Sequence, residues 1–108
     1  MPENALPLLV VTTLATREQA LALGREMVEI GLAACAQVGA IDSVYRWQGA
    51  VAQDSEFRLL LKTRPALYAA LEAALRERHP YDLPAIHAIA TVRADAAYAE
   101  WVRDSTRP

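Results

Sequence analysis

The stretch from residue 41 to residue 62 constrains the fold of this chain most strongly, because its pattern is typical of one long β-hairpin. Side chains at residues 41–47 alternate between two faces, with the period of two that half-buried strands show. The turn is predicted at residues 48–50, where Gly49 accepts a positive φ without steric cost. After polar residues 53–55, a return arm is predicted at residues 56–61. The outgoing arm ends in large aromatics instead of charges, so we expect copies of the protein to meet at this hairpin.

The first half of the chain predicts a strand, a helix and the beginning of the hairpin. The apolar run 8–11 is typical of a central strand. Thr16 with Gln19 three residues later forms a capping-box pattern, and the helix is predicted to run from there to Ile30. Gly31 is expected to adopt the left-handed conformation that ends a helix. Gly24, on the apolar face, is expected to allow close approach to the sheet. The second strand is predicted at residues 33–47, with a bulge or bend at Gly39.

The second half of the chain predicts two further helices and a fourth strand. Pro65 belongs in the first turn of a helix, with Thr63 or Arg64 as its cap, and this helix stops before Pro80. An i,i+4 ion pair between Glu72 and Arg76 is expected on its outer side. The fourth strand is predicted at residues 86–92, and Asp95 caps a short C-terminal helix.

The predicted order is β-α-β-β-α-β with an extra helix at the C terminus, which is the ferredoxin-like split βαβ pattern. The predicted fold class is therefore α+β, as a single domain over residues 1–108 with a long hairpin between the second and third strands. Right-handed crossovers place both main helices on one face of a four-stranded antiparallel sheet. The opposite face, which would carry Ile41, Tyr45 and Trp47, is too apolar to remain in water and predicts an interface.

Charge and cysteine content exclude several classes of function. The chain carries 11 Lys and Arg against 13 Asp and Glu, for a formal net charge of −2. It has no basic run, which argues against nucleic acid or an anionic membrane as a partner. One cysteine, Cys35, cannot form a disulfide within the chain. The apolar run at residues 7–11 is too short for a membrane span, and residues 1–4 lack a positively charged signal-peptide start. A cytoplasmic protein is expected.

Several short segments together resemble the CutA divalent-cation tolerance family over nearly the whole chain. They are Leu32-Ala33-Ala34-Cys35, Ser43-Val44-Tyr45-Arg46-Trp47-Gln48-Gly49, Glu56, Leu61-Lys62-Thr63, His79-Pro80-Tyr81 with Pro84, and Tyr98 with Trp101. The resemblance implies a ferredoxin-like homotrimer, joined through the long hairpins and the sheet edges. It also implies a role in tolerance to divalent metals, with copper binding in some members, and no enzymatic activity.

His79 is the candidate metal ligand, because a neutral imidazole suits Cu(II) and His79 lies at a helix end beside a rigid turn. The alternative is a histidine that interacts with the last carbonyls of the helix. Some relatives carry a cysteine where this chain has Thr12-Thr13, and often a glutamate where it has Ala85. We expect no obligatory cofactor, with Cu(II) or another divalent metal as the candidate ligand.

Five residues are predicted to lie at the subunit interface: Tyr45, Trp47, Glu56, Tyr81 and Trp101. The aromatic residues would bury area there, and Glu56 would pair with Arg46, Arg58 or Lys62 in a partly dry junction. His87 is expected to be a surface or interface histidine. Cys35, among alanines, is expected to be a packed, unreactive thiol, although it could also serve as a soft ligand.

Two other classes of function fit the predicted architecture less well. A PII-like signalling trimer would bind a small ligand between subunits, but such proteins hold phosphates with glycine-rich loops and clustered cations. The four glycines of this chain are Gly24, Gly31, Gly39 and Gly49, and all have structural explanations. An enzyme of acylphosphatase-like fold rests on fold analogy alone.

Overall fold

The computed structural model describes residues 6–107. Its elements in chain order are β1 (Leu8–Leu14), α1 (Arg17–Glu29), β2 (Cys35–Trp47), β3 (Ala50–Thr63), a 3₁₀ turn (Pro65–Leu67), α2 (Tyr68–Arg78), β4 (His87–Ala90) and α3 (Ala96–Asp104). The strands form one antiparallel sheet in the order β2-β3-β1-β4. The predicted ferredoxin-like α+β fold with a long hairpin and an extra C-terminal helix is confirmed.

The start and the end of α1 follow the sequence signals. The Thr16 side chain accepts from the Gln19 backbone N–H at 3.1 Å, and the Gln19 side chain accepts from the Thr16 N–H at 3.2 Å. This reciprocal capping box satisfies two backbone groups that a helix start leaves open. At the other end, Gly31 has a φ of +82°. A Cβ added there would lie 2.3 Å from the Arg107 carbonyl oxygen, so the helix end and the C-terminal segment meet where only glycine fits.

Both main helices pack on one face of the sheet, as the right-handed crossovers predicted. A Cβ at Gly24 would lie 2.9 Å from Ala36 Cβ and from Leu59 Cδ1, which confirms that glycine lets α1 approach β2 and β3 closely. Burial of these apolar side chains is the main source of stability. The buried core comprises Val10, Leu14, Ala20, Leu23, Met27, Leu32, Ala33, Leu59, Leu61, Leu71, Ala74 and Leu75.

The hairpin is longer and more regular than the sequence indicated. Gln48 and Gly49 both have positive φ, at 51° and 82°, which forms the tight two-residue turn that matches the twist of the two arms. The return strand begins directly at Ala50 instead of at residue 56. Pairing continues without interruption through Gly39 opposite Arg58, so the predicted bulge is wrong. A Cβ at Gly39 would meet nothing within 4 Å, so no close approach of other groups demands a glycine at that position.

Polar residues 53–55 belong to the strand, and cross-strand hydrogen bonds engage the side chains of two of them, Asp54 and Ser55. The Ser55 hydroxyl donates to Asp42 at 3.2 Å, and the Tyr45 hydroxyl donates to Asp54. The two arms are paired along their whole length, from Trp47 opposite Ala50 at the turn to Cys35 opposite Lys62. Strand β1 pairs with β3 only from Phe57 onward, and Phe57 lies opposite Leu14. The part of the hairpin beyond this point is therefore a ribbon two strands wide.

Two further boundaries, at β1 and β4, differ from the sequence predictions, and the start of the second helix at Arg64 and Pro65 agrees with them. β1 continues through Thr12-Thr13 to Leu14, because Thr12 is fully buried on the core side. β4 spans only His87–Ala90, and the Thr91 hydroxyl donates to the Pro7 carbonyl at 2.6 Å. The second helix opens with the 3₁₀ turn at Pro65, and its cap Arg64 makes no side-chain cap hydrogen bond.

Side-chain pairing on α2 also differs from the sequence prediction. Glu72 accepts a hydrogen bond from the Tyr68 hydroxyl at 2.7 Å, and this contact takes the place of the predicted pair with Arg76. The Arg78 guanidinium pairs with Glu26 at 2.5 Å, which links α2 to α1. An ion pair this exposed contributes little to stability, because solvent screens the two charges.

Candidate functional site

Three segments meet at one end of the sheet: the end of β1, the end of α2 and the part of β3 where the ribbon begins. Pro80 pushes the residue before it to extended backbone angles, and His79 accordingly has a φ of −74° and a ψ of 134°. This conformation ends α2 and turns the imidazole toward β1. The result is a connected set of side chains, Thr12, His79, Tyr81 and Glu56, which we call the His79 cluster.

Both ring nitrogens of His79 are engaged within the protein. Nε2 lies 3.0 Å from the Thr13 carbonyl oxygen and 3.0 Å from Thr12 Oγ1. Nδ1 accepts from the Tyr81 backbone N–H at 3.1 Å. Because a carbonyl oxygen can only accept and a backbone N–H can only donate, the proton must be on Nε2 and the lone pair on Nδ1. His79 is therefore a neutral imidazole in a defined tautomer.

The surroundings of His79 favour this neutral form. Partial burial lowers its pKa below the ordinary value of 6.5, and the hydrogen bond to the Thr13 carbonyl offsets only part of that change. The Tyr81 ring packs against the imidazole with centroids 4.8 Å apart and a tilt of 57°.

Tyr81 connects the His79 cluster to the hairpin. Its hydroxyl donates to Glu56 Oε1 at 3.0 Å. Burial, followed by the hydrogen bond and charge of Glu56, raises the pKa of Tyr81 to about 12. Nearby, the hydrogen bond to Asp54 raises the pKa of Tyr45. The hydroxyls of Tyr45 and Tyr81 thus remain neutral and donate to Asp54 and Glu56. These two carboxylates lie two residues apart on the same face of β3.

The structure brings together some of the residues predicted for the interface and leaves one apart. Glu56 and Tyr81 lie at the base of the two-stranded ribbon. Tyr45 lies farther out, opposite Ala52, and its hydroxyl reaches back to Asp54, while Trp47 lies on the same face at the tip. Trp101 lies away from them on α3, where it stacks on Tyr98 at 5.8 Å. The three aromatics Tyr45, Trp47 and Trp101 remain 39%, 44% and 47% exposed. The partner of Glu56 is Tyr81, whereas the sequence had suggested Arg46, Arg58 or Lys62.

The candidate metal donors of the described residues do not gather into a cluster. Among residues 6–107, no group of three or more His, Cys, Asp or Glu side chains is placed to hold an ion. The lone pair of His79 Nδ1 is occupied by Tyr81 N–H, and Nε2 carries the proton, so neither nitrogen is free for Cu(II). His87 is exposed on β4, and Cys35 is half-buried opposite Lys62. The metal role assigned to His79 remains a prediction, and these contacts weigh against it.

Sequence patterns missed one contact that organises this region and another at α3, away from it. The contact between Thr12 and His79 joins residues 67 positions apart, and no local pattern signals it. Lys62 lies with its ammonium nitrogen 5.6 Å from the centroid of the Tyr98 ring. The only available signal was the His79-Pro80 step, which predicted where α2 ends but not what the imidazole contacts.

No helix within residues 6–107 combines the length and apolar character needed to cross a bilayer.

Comparison with known proteins identifies the relatives of this chain. The family model for the CutA1 divalent ion tolerance protein matches residues 8–105. The divalent-cation tolerance protein CutA of Thermus thermophilus is 36% identical over 98 residues, which cover 90% of this chain and 95% of that protein. The chloroplastic CutA of Arabidopsis thaliana is 38% identical over 93% of this chain, which spans 56% of that longer protein.

Solved structures give the same result. CutA1 from Oryza sativa superimposes with a TM-score of 0.91 at 33% identity, covering 98% of both chains. CutA from Synechococcus elongatus superimposes with a TM-score of 0.90 at 38% identity, covering 96% of this chain and 93% of that one.

Proposed function

This chain belongs to the CutA1 divalent ion tolerance family, and from that premise we propose that it supports tolerance to divalent cations as a homotrimer without enzymatic activity. The metal-tolerance role is supported by the family name and by relatives of nearly equal length, which are also named divalent-cation tolerance proteins. The trimer and the lack of catalysis come from the resemblance described above.

One observation supports assembly most directly: the ribbon exposes aromatic and aliphatic side chains and has two unpaired edges. Trp47 and Tyr45 are exposed on one side of the ribbon, while Val44 and Val51 are 66% and 68% exposed on the other. Only β2 and β3 pair in this part of the sheet, so each strand has one free row of backbone donors and acceptors. Apolar, unpaired edges of this kind attract further strands, and a native protein normally covers them. Sister subunits are the partners the resemblance implies.

The assembly is tested by size-exclusion chromatography with light scattering. We expect a mass close to three times 11.8 kDa at micromolar concentration. Trp47→Ala should shift the mass toward the monomer on dilution, because truncating an aromatic anchor at an interface commonly costs ~2 kcal/mol. Leu21→Ala is the matched control, since Leu21 is similarly exposed, at 48%, but lies on α1 away from the hairpin. A stable monomeric wild type at these concentrations would contradict the trimer.

The tolerance role is tested in the host organism. A deletion strain should grow more slowly than its parent under added Cu(II) or Zn(II), and wild-type protein should restore growth. A variant that fails to assemble, such as Trp47→Ala, should restore it less well at equal expression. Equal growth of the deletion strain and its parent under every divalent metal tried would remove the tolerance role.

We propose that no metal is an obligatory part of the folded protein, with Cu(II) or another divalent ion as its candidate ligand. The neutral, doubly hydrogen-bonded His79 supports this, because a structural site needs several free donors. Elemental analysis of untagged protein purified from its own host should show less than one metal ion per subunit. One tightly held copper per subunit would overturn this part of the proposal.

We propose a cytoplasmic location, which the single cysteine supports, since a lone thiol forms no disulfide within the chain and needs no oxidising compartment. Relatives differ in this respect. One, from Archaeoglobus fulgidus, is described as periplasmic, and the Arabidopsis relative as chloroplastic. Cell fractionation with an antibody against the protein tests the location directly.

A further inference from the structure

We propose that His79 is a positioning residue, which fixes the turn after α2 so that Tyr81 holds Glu56 at the base of the hairpin, and that it is not a metal ligand in this protein. The inference rests on the hydrogen bonds of the His79 cluster within one chain. It stands independently of whether the protein forms a trimer.

The first step is the connectivity around the imidazole. On one side, Nε2–H donates to the Thr13 carbonyl at 3.0 Å, with Thr12 Oγ1 also at 3.0 Å. Thr12 is fully buried and belongs to the inner strand β1, so this side of the ring is anchored to the core of the fold. On the other side, Nδ1 accepts from the Tyr81 N–H at 3.1 Å. His79 thus ties the backbone of the turn to the core.

The second step connects this turn to the hairpin. Fixing the Tyr81 backbone, together with ring contact at 4.8 Å, restricts the directions in which the phenol can extend. In the restricted position its hydroxyl reaches Glu56 Oε1 at 3.0 Å. Glu56 is the first residue of β3 beyond the pairing with β1, which ends at Phe57. The hydrogen bonds of His79 and Tyr81 therefore connect β1 to Glu56, at the position where the two-stranded ribbon extends beyond the three-stranded part of the sheet.

The third step concerns metal binding. A metal at Nδ1 would displace the Tyr81 N–H, and a metal at Nε2 would replace the proton that the Thr13 carbonyl accepts. Either event leaves a part-buried backbone group without its hydrogen bond, which costs free energy that a single imidazole ligand must offset. No second and third donor converge on the ring among residues 6–107 to share that cost. The same atoms that would bind the ion are the ones that hold the turn.

The ionisation of Tyr81 provides a readout specific to this role. Burial comes first, then the hydrogen bond and charge of Glu56, and then the charges of Tyr45 and Asp54; together they raise the pKa of Tyr81 to about 12 from an ordinary 10.0. Both the burial and the bond to Glu56 depend on where the phenol is held. If His79 positions Tyr81, then His79→Ala should release the phenol from Glu56 and move the pKa of Tyr81 toward 10. The shift is measured by carbon-13 NMR of tyrosine labelled at Cζ, with Tyr81→Phe used to assign the resonance. His87→Ala is the control, because it removes the other histidine, which is exposed and lies outside the cluster.

A second measurement uses the wild-type protein and does not depend on how the variant folds. Nitrogen-15 NMR of the imidazole should show the Nε2–H tautomer for His79, and equimolar Zn(II) should leave its two nitrogen resonances unchanged.

Three results would overturn the proposal. The first is a Tyr81 pKa that stays near 12 in a folded His79→Ala variant. The second is an Nδ1–H tautomer in the wild type. The third is a shift of the His79 nitrogens at one equivalent of Zn(II). None of these three results depends on the mass of the assembly, so the proposal of a trimer is tested separately.

Discussion

The Tyr81 hydroxyl donates to Glu56 Oε1 at 3.0 Å and joins two parts of the chain that are 25 residues apart. Tyr81 belongs to the turn that follows α2, and Glu56 lies at the base of the ribbon formed by β2 and β3. This contact is the direct side-chain link between the helical layer and the outer hairpin in that region. It follows that a substitution in the turn after α2 should alter the structure or stability of the hairpin base near Glu56.

Tyr81→Phe should lower the free energy of unfolding by about 1 to 2 kcal/mol. The variant keeps the ring and removes one hydrogen bond to a charged acceptor in a part-buried site. Urea denaturation followed by circular dichroism measures the change. Tyr68→Phe is the control, because it removes a similar bond to Glu72 within one helix, where such pairs contribute about 0.2 to 0.5 kcal/mol. Equal losses in the two variants would contradict the importance of the Tyr81 bond.

Stability should fall as the pH drops below 6.5, and part of this fall should come from His79. Its pKa is lowered in the folded protein, mainly by burial, so the unfolded chain takes up a proton at a pH where the folded protein does not. The contribution of His79 to stability therefore decreases as the pH falls from about 6.5, the ordinary pKa, to the lowered pKa of the folded protein. Below that lowered pKa, the contribution of His79 no longer changes. Unfolding curves of wild type and His79→Gln, measured across this range, isolate the contribution. A constant difference between the two proteins would show that His79 does not take part.

Gly31→Ala should destabilise the protein by about 1 to 3 kcal/mol. The residue has a φ of +82°, which is costly for any side chain, and the added Cβ would lie 2.3 Å from the Arg107 carbonyl oxygen. The change also weakens the hydrogen bond from Arg107 N–H to the Gly31 carbonyl, at 2.7 Å. Thermal unfolding measures the effect. Gly39→Ala is the matched control: Cβ meets nothing within 4 Å there, and we expect stability to stay the same or rise by up to about 1 kcal/mol.

Tyr98→Phe should leave stability unchanged or raise it slightly. The Tyr98 hydroxyl is buried, and within residues 6–107 it has no hydrogen-bond partner. Removing an unsatisfied buried hydroxyl removes its desolvation cost. The aromatic stack on Trp101 and the contact with Lys62 depend on the ring and should persist. A loss of about 1 kcal/mol in chemical denaturation would instead show that a neighbouring subunit supplies the missing acceptor.

Local sequence patterns predicted the elements well where one short-range interaction decides the structure. The capping box at Thr16, the left-handed Gly31 and the helix stop before Pro80 all involve residues within a few positions of each other. Period-two alternation likewise identified the outgoing arm of the hairpin. In each case the local choice and the final fold agree, as expected for a sequence with a well-defined native state.

Predictions failed where a long-range contact overrides the local signal. Polar residues 53–55 suggested a loop, but cross-strand partners such as Asp42 keep them in the strand. Gly39 suggested a bulge, but regular pairing on both sides carries the strand through it. The partners of His79 and Glu56 could not be found by pattern, because they lie 67 and 25 residues away in sequence.

The narrow ribbon beyond Phe57 also has a mechanical consequence. It is two strands wide and seven residues long from Glu56 to Ala50, so the six steps between these residues span about 20 Å at 3.3 Å per residue. An arm of that length acts as a lever, since a tilt of about 10° where it leaves the sheet displaces its tip by about 3 to 4 Å. In the proposed trimer, the angle at which the ribbon leaves the sheet near Glu56 would therefore set where Trp47 contacts a neighbouring subunit.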